Sequence, residues 1–89
     1  MKRIQIIVTG FVQGVGFRFY ARHEALRSKL TGFVRNLPNG SVEIEVQGTE
    51  TQLARFIKWA NHGPRNAIVE SFHQNDIEVV ESEIDFEIR

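Results

Sequence analysis

The stretch that decides the fold is Gly32-Phe33-Val34-Arg35-Asn36-Leu37-Pro38-Asn39-Gly40-Ser41-Val42-Glu43-Ile44-Glu45-Val46-Gln47-Gly48. Val42, Ile44 and Val46 alternate with Glu43, Glu45 and Gln47, a period of two that predicts a strand with one buried and one polar face. Gly32 to Leu37 predicts the strand before it. Pro38-Asn39-Gly40 joins them as a hairpin, because Asn and Gly tolerate the positive φ such turns need. Glu43, Glu45 and Gln47 are then expected to point into water, as one face of an antiparallel sheet can.

Outward from the hairpin, each flank predicts a helix and then a strand. Upstream, Arg18 to about Leu30 contains no glycine or proline. Its apolar stripe, Phe17, Ala21 and Ala25, recurs every fourth residue. Before it, Ile4, Ile6 and Val8 alternate in a strand that Gly10 ends. Downstream, Thr49 or Thr51 can cap a helix whose Leu53, Phe56, Ile57 and Ala60 fall on one face, and Gly63-Pro64 stops it. Ala67 to Phe72 and about Ile84 to Ile88 predict two more strands. The order is β-α-β-β-α-β plus a terminal strand. It predicts an α+β sandwich of ferredoxin-like topology, with two helices on one face of an antiparallel sheet and an extra C-terminal strand. Residues 1–89 are expected to form a single domain.

Composition narrows the function classes. The chain is 42% hydrophobic and 25% charged, which excludes a disordered chain. It has no cysteine, so no disulfide framework, thiolate metal site or cysteine nucleophile is possible. No apolar run is long enough to span a bilayer. The basic start Met1-Lys2-Arg3 precedes an apolar run too short for a signal peptide. A cytoplasmic protein that folds without a bound metal or cofactor is expected. Net charge is zero but uneven. Residues 1–40 hold seven basic residues against Glu24 alone, and residues 41–89 hold four basic against ten acidic. An anion is therefore expected at the N-terminal half.

Phe11-Val12-Gln13-Gly14-Val15-Gly16-Phe17-Arg18 joins the first strand to its helix. Two glycines two apart let successive main-chain N–H groups line one concavity. The helix start adds N–H groups without partners and a positive dipole end. Arg18 sits in the first turn, where a cation opposes that dipole, and its planar fork can hold two phosphate oxygens. The dinucleotide fingerprint lacks its last glycine and the GxxxxGK[ST] loop is absent. A glycine-rich turn beside a surface arginine would look the same at this level. Asn36 shares parity with Val34: if Val34 faces the helices, so does Asn36, near the strand's end, where a buried amide needs a partner. Phe33 and Leu37 make the other face apolar as well, so parity leaves both faces open. Asn36 could equally serve the hairpin alone.

No proton carrier belongs to this group. On the helix, His23 lies about 140° round from Arg18 and Glu24 about 120° the other way. His62 and His73 sit outside the segment, and no paired-carboxylate or metal-ligand motif is present. An arginine, N–H groups and an amide can bind a phosphoryl group and orient a water, but cannot protonate a poor leaving group. A carboxylate leaves without a proton, its conjugate acid having a pKa near ~4. The chemistry points to a mixed carboxylic–phosphoric anhydride.

At these residues the sequence resembles the acylphosphatase family. Gly10 to Arg18 matches its first signature, and Gly32 to Val42, running on to Gly48, its second. Gly63-Pro64-Arg65-Asn66-Ala67-Ile68-Val69 and Phe86-Glu87-Ile88-Arg89 are similar too, so the likeness covers essentially the whole chain. It implies metal-independent hydrolysis of an acyl phosphate to a carboxylate and phosphate. It further implies phosphate binding by Arg18 and by the backbone of Gln13, Gly14, Val15, Gly16, Phe17 and Arg18, with Asn36 positioning the water. The implied partner is a small acyl phosphate, acted on by a monomer.

Four positions depart from common family usage: Phe11 for Arg, Asn39 for Asp, and Ser28-Lys29 for Leu-Gly. Ser28 is expected to weaken packing of the first helix. Two other functions fit the same topology. An RNA-binding module would stack bases on the sheet's open face, but Glu43 and Glu45 would repel phosphates there. A non-catalytic anion sensor, like the related domain of larger hydrogenase-maturation proteins, would bind phosphate without turnover.

Overall fold

The computed structural model describes residues 1–89. The elements are β1 (Lys2–Phe11), α1 (Phe17–Arg27), β2 (Thr31–Asn36), β3 (Val42–Gly48), α2 (Glu50–Ala60), β4 (Ile68–Ile77) and β5 (Phe86–Ile88). They build one sheet in the order β4-β1-β3-β2-β5. The first four strands are antiparallel, and β5 adds parallel to β2 at the far edge.

Side-chain alternation sets the register of the central pair. Ile4 lies opposite Val46, Ile6 opposite Ile44 and Val8 opposite Val42, and all six are buried. These β-branched pairs pack together on one face. A one-residue slip would turn every one of them to the other side. Phe17, Ala21 and Ala25 of α1 and Leu53, Phe56 and Ala60 of α2 complete the same core. Trp59 joins the helices, its ring centroid 5.4 Å from Phe17 and 5.7 Å from Phe56.

The helix ends follow local chemistry. Thr49 caps α2: its hydroxyl accepts from the Gln52 N–H, and the Gln52 side chain accepts from the Thr49 N–H. Helix α1 ends at Arg27, three residues before the expected limit. There the Leu30 N–H bonds back to the Ala25 carbonyl and the Lys29 N–H to that of Leu26. This is a Schellman closure, which requires a left-handed residue at Lys29, and its φ is 58°. Ser28, within that closure, is buried and its Oγ has no hydrogen-bond partner.

Other boundaries also moved. Strand β1 continues through Gly10 to Phe11, because the register against β4 shifts between Thr9 and Gly10 and a bulge absorbs the irregularity. At Gly10, φ is 124° and a Cβ would lie 2.2 Å from the Ile68 carbonyl oxygen. Strand β4 extends to Ile77, and β5 begins only at Phe86.

The open face of the sheet differs from expectation. Glu43 and Gln47 are buried, and Glu45 is half-buried. Glu43 accepts from the Gln5 amide at 2.7 Å and from the Arg35 guanidinium on the flanking strands. For Glu45 and Gln47 the cause is topological. Strands β4 and β5 occupy opposite edges, so residues 78–85 must cross the sheet, and they do so over the face away from the helices. Val80 accepts from the Gln47 amide at 3.0 Å and donates its own N–H to Gln47 at 2.8 Å. Glu83 takes two hydrogen bonds from Arg3, at 2.7 and 3.3 Å, and Glu45 takes a third at 3.0 Å. Arg3 is 2% exposed. Burial works to lower its pKa, but hydrogen bonds and charge from Glu83 and Glu45 outweigh this and raise it above the ordinary arginine value.

Candidate active site

Gly16 caps α1 with a left-handed backbone, φ 80° and ψ 15°, and no side-chain cap. The first intrahelical bond is from the Tyr20 N–H to the Gly16 carbonyl. From Gln13 through Arg18, no main-chain N–H has an acceptor in the protein. The first turn of α1 carries no acidic residue. A run of free donors therefore meets the positive end of a helix dipole.

Gly14, Gly16, Phe17, Arg18 and Asn36 line one cleft of about 260 Å³, together with Val12, Phe19 and Ile88. Asn36 is the last residue of β2, opposite Val42, and shares the helix-facing side with the fully buried Val34. Its half-buried side chain opens into this cleft. Arg18 is exposed and donates from Nη1 to the main-chain oxygen of Arg89 at 3.3 Å.

Gln13 and Val15 do not line the cleft. The Gln13 amide donates to the Leu37 and Ser41 carbonyls at 2.8 and 2.9 Å, tying the loop to the β2–β3 turn. Val15 is half-buried against the core. Both hold the loop's shape, and either can contribute to a ligand only through its main chain. His23, His62 and His73 are exposed and lie away from the cleft. No acidic residue lines it, and Arg18 is its sole titratable group.

Two contributions were not legible in the sequence, and a third left a signal there. Ile88 lines the cleft, and the main-chain oxygen of Arg89 meets Arg18, only because β5 adds alongside β2. Phe19 was visible as an apolar residue beside Arg18, and it stands 64% exposed at the mouth, edge-on to Tyr20. An apolar side chain at an exposed first-turn position was the available signal.

Residues 4–88 match the acylphosphatase family model. The chain belongs to the acylphosphatase family. It is similar to the acylphosphatase of Geobacillus kaustophilus, with 46% identity over 99% of this chain and 94% of the relative. It is 48% identical to that of Caldivirga maquilingensis, over 98% and 93% of the two chains. The crystal structure of Bacillus subtilis acylphosphatase superposes with a TM-score of 0.95 at 36% identity, covering 100% of this chain and 99% of that one. Acylphosphatase relatives thus match at full length in sequence and in fold, and they make this chain a hydrolase of that family.

Proposed function

We propose that the cleft hydrolyses an acyl phosphate, with phosphate held by the main-chain N–H groups of residues 13–18 and by Arg18, and water oriented by Asn36. The water oxygen attacks phosphorus in line with the acyl oxygen. The P–O bond to that oxygen breaks, and its electron pair leaves on the carboxylate. A phosphate oxygen takes the proton that the water loses. Arg18 and the N–H groups are placed to stabilise charge on the phosphoryl oxygens during transfer. The Asn36 amide aligns the water and lowers the entropic cost of attack.

One observation carries this reading. The cleft brings unpartnered main-chain donors, one guanidinium and one amide together, with no side chain that could act as general acid or base. Such a site favours a substrate whose leaving group needs no proton. Val12, Phe19 and Ile88 supply an apolar wall for the acyl group. The substrate is a small molecule, and the chain acts on it as a monomer.

The test is release of inorganic phosphate from benzoyl phosphate in the presence of a chelator, beside an aryl phosphate ester. Rapid cleavage of the anhydride and little of the ester is expected. Comparable rates on both would require a proton donor that this assignment lacks.

A further inference from the structure

Charge pairing leaves a second group of cations without carboxylate partners. Lys2 meets Asp76 at 3.5 Å, Arg3 meets Glu83 and Glu45, and Arg35 meets Glu43. Lys29 and Arg55 have no acidic partner. With Arg27 they line a cleft of about 190 Å³ between the end of α1 and the start of α2. Ser28, Thr51 and Gln52 complete its walls, and no apolar or acidic side chain contributes. Arg27 has one weak partner, Glu24, at 3.5 Å on its own helix. Glu50, the acidic residue of the first turn of α2, lines a different cleft beside Lys2.

The C-terminal dipole of α1 accounts for Arg27. It does not account for Arg55, which belongs to the other helix. Nor does it account for Ser28. That residue is 5% exposed, lines this cleft, and carries the one buried side-chain polar atom in the protein without a partner. A buried hydroxyl left unpaired costs stability unless something outside the chain pairs with it. The positive dipole end of α2 meets the negative end of α1 at this cleft, so the two dipoles offset and the side-chain cations carry the preference for an anion.

We infer that this cleft is a second anion site, which binds a compact polyanion built of phosphoryl groups, of the size and charge of pyrophosphate. Three cations match a multiply charged ligand better than a single phosphate. The absence of apolar lining leaves no surface for an acyl chain or a nucleobase. The site lies at the opposite end of α1 from Arg18, and a helix of 11 residues separates the two by about 16 Å. The Arg27, Lys29 and Arg55 side chains neutralise the ligand's charge, and the Ser28 hydroxyl, buried as it lies, turns about its Cα–Cβ bond to donate to a ligand oxygen.

The test is an amide NMR titration of the whole chain with inorganic pyrophosphate, and separately with orthophosphate, at constant ionic strength. Signals of residues 27–29, 51, 52 and 55 should saturate, with pyrophosphate the tighter ligand. Arg55→Gln should weaken that saturation about tenfold, the equivalent of one charge-assisted hydrogen bond. The same variant should leave both the response of residues 13–18 and benzoyl phosphate turnover unchanged. The Arg55 side chain is exposed and makes no hydrogen bond within the protein, so this variant should fold normally. Ser28→Ala should weaken the same signals. Signals at residues 27–55 that drift without saturating, or an Arg55→Gln curve superimposable on the parent's, would overturn the site.

Discussion

Arg18 donates to the main-chain oxygen of Arg89 at 3.3 Å, so the guanidinium at the cleft is steadied by residues from the far end of the chain. Arg89 is itself anchored. Its N–H donates to the Val34 carbonyl at 2.8 Å, and its guanidinium lies 4.1 Å from the centre of the Phe33 ring. The relationship ties the edge strand β5 and its neighbour β2 to the candidate cleft.

Deleting Arg89 should therefore loosen Arg18 without unfolding the chain. The bond is long and exposed, so a KM increase of about 2–5-fold is expected, in line with a modest net hydrogen bond. Steady-state kinetics on benzoyl phosphate would check it. An unchanged KM would mean that Arg18 needs no such support.

Lys29→Gly should stabilise the protein by about 1 kcal/mol, because a left-handed backbone costs a side-chain-bearing residue roughly that much. Urea unfolding should show a higher midpoint with an unchanged slope. Gly also loses more entropy on folding, which sets the upper limit of the gain. A lower midpoint would show that the Lys29 side chain contributes more than its backbone strain costs.

The sequence made part of this legible and hid part. Thr49, one of the two threonines offered as a cap, is the one that the helix uses. Parity pairs Asn36 with Val34, although Phe33 and Leu37 leave the face open until the structure buries Val34 under the helices. Both signals are local, encoded within a few residues. The burial of Gln47 is different. It depends on where residues 78–85 cross the sheet, and so on the edge that β5 joins. Nothing in the alternation of β3 carries that information. The same applies to Ile88 in the cleft wall and to Arg89 behind Arg18.

Glu83→Ala should destabilise the fold by about 2–3 kcal/mol. It leaves a buried guanidinium with only Glu45 and Gln47 as partners, and losing one member of a buried pair is costly. The raised pKa of Arg3 fixes the sign of its pH dependence. Its contribution is complete below the unfolded-state value and would be lost only as pH rises through the folded one, far into the alkaline range. Between pH 5 and 9 the Glu83→Ala penalty should thus owe nothing to titration of Arg3. Equal melting temperatures for variant and parent would show that residues 78–85 are held by other contacts.

Turnover should have a shallow pH profile. Arg18 is the cleft's one titratable residue, and an arginine stays protonated throughout the neutral range. Between about pH 5 and 8, kcat should follow only the ionisation of the substrate phosphate. A bell-shaped kcat profile that persists across substrates of differing phosphate pKa would reveal an acid or base supplied by the protein.

The most direct measurement compares kcat for Asn36→Ala and Arg18→Ala with the parent on benzoyl phosphate, using circular dichroism to verify the fold. Both side chains are outside the buried core, so both variants should fold. Each should lose on the order of 10²–10³-fold in kcat, the usual loss for removing one group that acts in the transition state. Either variant turning over within a few-fold of the parent, with its fold intact, would contradict the assignment of phosphate to Arg18 and of water to Asn36.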